Sequence, residues 1–339
     1  MKHDEALQGY RFDCVIDLLN RRIEGRAPGT NDGRKLALIV EGGAMRGVLS
    51  AGSLLALDLL GCRDVFDEVY AVSAGAVNAA YFLSGQGELG ISVYFDDISS
   101  MRFANPFRIW KIIDVDYVYD HVVPHLKSLD EGRIRDGRSD FFLGLTDVRT
   151  GNPVMVDVKK SPHPVSRLLK ASSAIPVLYN RTVRLGDDDY IDGGISDVLP
   201  VAQAIQNGCT DVLILTTRLP DHVSNPPPIW ERLLFFSMMG WRYPGVQRAY
   251  DTNFSRTSKS RAYASGSEVL HSVNIATIGP TVSEPGVGRS TRDRDTLLHG
   301  AWRMALRTAG VVGRPSAPVD AAFQRLSKST LQHRSFVDE

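Results

Sequence analysis

Ser73 stands between an apolar run, Val69-Tyr70-Ala71-Val72, and a run of small, helix-forming residues, Ala74-Gly75-Ala76-Val77-Asn78-Ala79-Ala80. A strand that turns sharply into a helix needs small residues around the turn. It leaves a serine Oγ exposed there for nucleophilic attack. The N-terminus of the following helix adds positive potential where a developing oxyanion would sit. Ala71 and Gly75 fill the small positions on either side of the serine. Alone, these five residues describe a serine capping an ordinary helix just as well.

Two other clusters could share chemistry with that hydroxyl. Glu41-Gly42-Gly43-Ala44-Met45-Arg46-Gly47 follows a short apolar run directly. A glycine-rich turn ahead of a helix aims several backbone N–H groups at one point, which suits a phosphate or an oxyanion. A nucleotide reading lacks the P-loop lysine and Ser/Thr, and Ala44 breaks the G-x-G-x-x-G spacing. Arg46 adds fixed charge, either for chemistry or as an ion pair holding the loop. Further on, Tyr190-Ile191-Asp192-Gly193-Gly194 sets a carboxylate at a strand end before two glycines, a pattern that a plain β-turn would also give.

The elements that must position these groups follow a regular rhythm. Leu36–Val40 is a short continuous apolar run typical of a buried parallel strand. A helix is predicted over 48–60, a strand over 69–72 and a helix over 74–83, so strand–turn–helix occurs twice. Strand, turn and strand are predicted over 141–158, a helix over 167–174, and a hairpin over 181–192. Pro200 opens a helix that Gly208 ends, and 211–217 is another buried strand. Residues 91–139 mix aromatics, Phe95, Phe103, Phe107, Trp110, Tyr117 and Tyr119 among them, with charges and read as a helical insertion or cap.

Taken together, the glycine-rich loop with its arginine, the serine turn and the later Asp-Gly-Gly resemble the patatin-like phospholipase family. Residues 143–157, 171–180 and 191–208 carry secondary similarity, and the resemblance covers roughly 35–217. Ala44 and Ala71 depart from it, each at a position that is usually glycine. The resemblance implies a three-layer α/β/α fold with a mostly parallel central sheet. It also implies a Ser73–Asp192 dyad in place of a triad, with an oxyanion loop over Gly42, Gly43, Ala44, Met45, Arg46 and Gly47. Ala71, Gly75, Gly193 and Gly194 would support the turn and the dyad. Asp192 would take the Ser73 proton, Ser73 would form an acyl-enzyme, and water would release it. An ordinary aspartate is a weak base, so such a site must be dry enough to raise its pKa. The implied substrate is a lipid or lysolipid acyl ester, with no cofactor and no metal.

Bulk properties narrow the alternatives. Lys and Arg number 39, as do Asp and Glu, so the balance offers no basic excess for nucleic acid. Three scattered cysteines with no CxxC pair argue against a disulfide framework or structural zinc and for a reducing, cytoplasmic compartment. His121 and His125 are four apart but have no third ligand. No apolar h-region marks a signal peptide and no window is long enough for a membrane span, so peripheral contact is the membrane association to expect.

The chain divides into an N-terminal helical extension (1–33), the catalytic core (34–220), a C-terminal helical region with a last strand (221–312) and a polar, loosely ordered tail (313–339). In the third region, Leu233–Trp241 is apolar on every side. With Trp230 and Tyr243 it could cap an acyl pocket or enter a lipid interface, and a buried core helix is the favoured reading. Gly310 is the expected stop of the helix over 290–310. Two rival functions remain: a catalytically degenerate lipid-binding or regulatory protein of the same fold, and a nucleotide-binding α/β protein using the 41–47 turn.

Overall fold

The computed structural model describes residues 2–25, 33–99, 113–176, 178–179, 181–222, 225–268, 270, 272–282 and 286–334, with side chains over 11–328. Phe103, Phe107 and Trp110 of the aromatic insertion lie outside the described residues, as does 335–339 of the tail.

Among the described residues, eight strands form one sheet: β1 (Leu36–Val40), β2 (Glu68–Val72), β3 (Asp140–Asp147), β4 (Pro153–Asp157), β5 (Val183–Leu185), β6 (Asp188–Asp192), β7 (Asp211–Leu215) and β8 (Asn274–Ile278). The order is β5-β6-β3-β2-β1-β7-β8, with β4 also on β3. β3, β2, β1, β7 and β8 run parallel, while β4, β5 and β6 pair antiparallel. β1 is a continuous apolar run, and β2 and β7 are apolar beyond Glu68 and Asp211, because both faces of the sheet are covered there. Leu36, Leu38, Val40, Val69, Ala71, Leu213 and Leu215 point into one core, and Ala37, Ile39, Tyr70, Val212 and Ile214 into the other.

Helices supply the two outer layers. α1 (Lys2–Glu24), α2 (Val48–Leu59), α3 (Ala74–Leu83), α4 (Gly87–Asp96) and α5 (Val165–Ser172) bury their apolar residues in the larger core. α6 (Val201–Gln206) and the C-terminal end of α8 (Pro244–Ser265) cover the opposite face. Between them, α7 (Ile229–Phe235) runs into a π-helical turn, Phe236–Gly240. α9 (Arg294–Val312) and α10 (Ala317–Arg334) return to the first layer. α9 lies so close to α2 that a Cβ on Gly52 would collide with the Ala301 carbonyl.

Three expectations need correction. The helix predicted to stop at Gly310 continues to Val312 and ends at Gly313, which adopts the left-handed conformation at φ 72°. The polar tail is helical over 317–334, and Val319, Ala322, Phe323 and Leu326 are buried in the main core. The all-apolar segment near 233–241 is not a core helix: Phe235 and Met239 are buried, but Leu233, Leu234, Phe236 and Trp241 are exposed. An apolar circumference does not say which face meets protein.

Candidate active site

The register of β3 brings Ser73 and Asp192 together. Gly144 pairs with Val72 of β2 and with Met155 of β4, so β2 and β4 lie on opposite edges. Leu145, the next residue, pairs with Val154 of β4 and Asp192 of β6. β6 therefore continues along the edge of β3 that β2 has just left. The chain leaves β2 at Ser73 where β6 delivers Asp192, and residues 119 positions apart in sequence become neighbours.

Ser73 occupies the turn between β2 and α3 at φ 58°, ψ −132°. This region is sparsely populated by non-glycine residues and costs on the order of 1–3 kcal/mol, so its surroundings must hold it. Ser73 N donates to Ser172 Oγ (2.9 Å), and Ser172 Oγ donates in turn to Gly144 O (2.8 Å). The Ser73 carbonyl accepts from Ala76 N (2.9 Å). Close packing completes the turn: a Cβ on Gly42 would come within 2.6 Å of Val72 O, and one on Gly75 within 2.5 Å of Val40 O. Ala71 is fully buried in β2 at an ordinary strand position, so its methyl fits where the family usually has glycine.

Asp192 is fixed from three sides. Its N donates to Ala174 O (3.0 Å), its carbonyl accepts from Thr146 Oγ1 (2.8 Å), and its Oδ1 accepts from Gly194 N (2.7 Å). Gly193 packs so tightly on Gly144 O that a side chain would collide, and Asn253 on α8 donates to Gly194 O (2.7 Å). The other carboxylate oxygen, Oδ2, is buried without a hydrogen-bond partner. Burial pushes this carboxyl up to about 6. The Ser73 hydroxyl close by, the Gly194 amide and the charge of Arg289 favour its ionised form and oppose the shift. Asp192 is thus a buried acid held near neutrality, with one oxygen available.

The glycine-rich loop sits on the other side of Ser73. Gly43 and Ala44 both have positive φ, 143° and 53°. Ala44 and Ser73 are the two non-glycine residues with positive φ among the described residues. Met45 N donates to Arg289 O (3.3 Å) and Arg46 N to Gly43 O (3.1 Å). The Met45 and Arg46 amides are thus engaged within the protein. Gly47 closes the 3₁₀ turn and packs on the Tyr94 hydroxyl and Ala74. Arg46 supports the loop from behind: its Nε donates to Thr217 Oγ1 (3.4 Å), and that hydroxyl donates to Gly42 O (2.7 Å). Burial, then repulsion from Arg218, pushes the Arg46 guanidinium down to about 10, so it stays charged at neutral pH. Glu41 anchors the base of the loop through Thr217 N (2.7 Å) and a fully buried ion pair with Arg261 of α8.

An apolar cavity opens from Ser73 and Ala44 into the first helical layer, lined by Val77, Val93, Ile98 and Val118. Tyr119 closes part of it and shares a hydrogen bond with Ser173 (2.5 Å). Among the described residues, no group of three or more His, Cys, Asp or Glu could hold a metal ion. The His121 and His125 rings lie 6.0 Å apart beside Tyr117.

Sequence reasoning missed Ser172, Thr217, Asn253, Arg261 and Arg289. Each acts through backbone or charge from a distant segment, and none lies in a motif of its own. Ser172 came nearest, since it falls within the 171–180 block.

Residues 38–205 match the family model described as patatin-like phospholipase. Over 205 residues the chain is 28% identical to the uncharacterized protein YjjU of Escherichia coli (strain K12), a match covering 59% of this chain and 56% of that protein. The chain thus spans little more than half the length of this curated relative. Among solved structures, human GIVD cytosolic phospholipase A2 is 10% identical, covering 71% of this chain and 53% of that one at a TM-score of 0.39. The same human enzyme in complex with a fluorophosphonate inhibitor and terbium chloride gives 11% identity, 96% and 64% coverage and a TM-score of 0.44. VipD from Legionella pneumophila gives 12%, 80%, 66% and 0.36. At these scores the likeness adds nothing to the family match.

Proposed function

The stretch 38–205 belongs to the patatin-like phospholipase family, and from that premise we propose that the chain is a lipid acyl-ester hydrolase, of phospholipase A or lysophospholipase type, with Ser73 as nucleophile and Asp192 as its base. The observation that carries this reading is the buried Asp192 carboxyl, pushed up to about 6 by burial while the Ser73 hydroxyl favours its ionised form, beside a serine held on a strained turn.

Asp192 accepts the Ser73 proton as Oγ attacks the ester carbonyl. The carbonyl oxygen becomes the oxyanion and is held by the Gly43 and Ala44 amides. Collapse expels the alcohol, which takes up the proton from Asp192 and leaves an acyl-serine. Water then attacks, giving its proton to Asp192, and the fatty acid leaves as the proton returns to Ser73 Oγ. With the Asp192 pKa near 6, the base is ionised at neutral pH yet far stronger than an ordinary aspartate. The dry, low-dielectric setting strengthens the oxyanion contacts, each worth about 10²–10³ in turnover. The apolar cavity supports an acyl chain as the group attached to the carbonyl.

Among the described residues no helix is long and apolar enough to cross a membrane. The cysteines are free thiols, and the proposed setting is cytoplasmic, with peripheral access to lipid. A degenerate, non-catalytic member of the family is the reading to eliminate, because Ala44 places a methyl in a left-handed loop position. Labelling by a fluorophosphonate probe separates the two, followed by a panel of phospholipid and lysophospholipid esters. Wild type is expected to label and to hydrolyse at least one ester, and Ser73→Ala to do neither while remaining folded. A wild type that resists the probe overturns the proposal.

A further inference from the structure

Among the described residues, the exposed large apolar side chains concentrate in one segment. Ile229, Trp230, Leu233 and Trp241 are 74%, 67%, 63% and 65% exposed, and Leu234 and Phe236 are about half exposed. All six fall within 13 residues, in α7 and the π-helical turn behind it. Trp230 and Leu234 lie one turn apart on α7 and share one face, and Trp241 follows the π-helical turn. The opposite face is apolar too: Phe235 stacks on Tyr250 of α8 with ring centroids 4.0 Å apart, and Met239 and Val246 complete that small core.

The polar residues of this segment do not cover the outer face. Arg232 turns sideways to pair with Asp251 of α8 (2.8 Å), and Glu231 accepts from the Tyr250 hydroxyl. A surface helix normally turns its charges to water and its apolar residues inward. Here the charges are spent on α8, and water meets tryptophan and leucine.

We propose that this face is the docking surface of the protein on a lipid bilayer bearing anionic headgroups. Tryptophans at both ends of a leucine- and phenylalanine-rich stretch suit the boundary between headgroups and acyl chains. Over 229–251 the charged residues are Glu231, Arg232, Arg242, Arg248 and Asp251; Arg232 pairs with Asp251 and Glu231 accepts from Tyr250, while Arg242, next to Trp241, and Arg248 are exposed. That charge complements an anionic membrane surface. A second copy of the chain is a poor occupant. Six side chains fall far short of the roughly 20–30 residues a side that stable protein interfaces use, whereas a few buried aromatic and aliphatic anchors are enough for interfacial adsorption.

The surface also stands next to the chemistry. α8, which receives the segment, holds Gly194 through Asn253 and Glu41 through Arg261. Docking would place α8, and through it the loops that carry Asp192 and Glu41, beside the layer that contains the substrate. In this respect the inference rests on the lipid-hydrolase reading and gives that site its physical source of substrate.

The test is flotation with vesicles of phosphatidylcholine alone and of phosphatidylcholine mixed with phosphatidylglycerol. It compares wild type with the triple variant Trp230→Ser, Leu233→Ser, Trp241→Ser and with the single variant Trp241→Ser. Phe235 is left intact because it is buried. Wild type is expected to float with the anionic vesicles with a blue-shifted tryptophan emission. The triple variant should lose about tenfold or more in partitioning, with unchanged circular dichroism and unchanged hydrolysis of a soluble short-chain ester. The single variant should fall between them. Wild type remaining with the unbound protein, or a triple variant that floats like wild type, overturns the proposal. So does a wild-type dimer, seen by light scattering, that the triple variant abolishes without any vesicle binding. Vesicle binding with no probe labelling of Ser73 would instead remove the hydrolase reading and leave the docking surface standing.

Discussion

The two ends of the parallel strands are built on opposite principles. At the N-terminal ends every buried charge named here has a partner. Arg22 meets Asp67 (2.7 Å), Arg34 holds Asp211 through Nε (2.8 Å), and Lys35 meets Glu68 (2.7 Å). Asp67 also accepts from Leu36 N (2.7 Å), and Asn274 donates to Asp211 (3.0 Å), so the starts of β1, β7 and β8 are tied together. At the C-terminal ends the chain tolerates what the other end avoids: two non-glycine residues at positive φ and a buried carboxylate oxygen with no donor. One end is satisfied and the other is held ready. Buried polar groups are normally paired, so the unpaired end is where a ligand is expected to complete the count.

The sharpest way to break this contrast is Asp192→Asn. At the ready end it should lower turnover on any accepted ester by about 10⁴-fold, by analogy with loss of the carboxylate in a serine triad. The wild-type rate should rise with pH through about 6 as Asp192 ionises. Stability should move the other way. A carboxyl raised in the folded state contributes stability that is fully present below its unfolded pKa of 3.8 and lost as pH rises through about 6. At pH 8 the Asn variant should therefore be more stable than wild type, on the order of 1–3 kcal/mol by denaturant midpoint. An Asn variant that is both inactive and much less stable would mean that the carboxylate is structural.

At the satisfied end, Asp211→Ala should do the reverse. It removes the carboxylate that Arg34 and Asn274 both donate to and leaves a buried vacancy, so it should cost about 2–4 kcal/mol, while the turnover of folded molecules stays unchanged. A loss of turnover with no change in midpoint would erase the distinction between the ends. The smallest expected effect is that of Ala44→Gly. Glycine removes the methyl clash at φ 53° but brings more freedom to the unfolded chain, for a net gain of about 0.5–1 kcal/mol. Turnover should change by less than about tenfold, since the amide direction is set by the loop. A large rise would show that Ala44 distorts the oxyanion site.

Much of this architecture is legible in the residues themselves. Leu36–Val40 and 212–215 are apolar runs that a doubly covered strand explains, and the strand–serine–helix order names its own turn. Ala71 and Ala44 look alike as departures from glycine, yet the first is an ordinary strand residue and the second is strained. Sequence gives side-chain size, not φ. The pairing of Glu41 with Arg261 joins residues 220 apart, and nothing local marks either. Residues 229–243 were misread because hydrophobicity reports what water disfavours and is silent about whether protein or lipid replaces it. In α10, Val319, Ala322, Phe323 and Leu326 are diluted by polar neighbours, so the tail's buried face was easily overlooked.

The position of β1 carries a practical consequence. It lies between β2 and β7, and β7 lies beyond the family-matched stretch, as do β8, Arg261 and Arg289. A gene fragment encoding 38–205 alone would leave β1 as a bare hydrogen-bonding edge, an invitation to pair with other copies. It would also remove Thr217 and Arg261, the groups that hold the Glu41 carboxylate. The recognisable segment is therefore not the smallest piece able to fold, and trimming the gene to its signature would yield insoluble material.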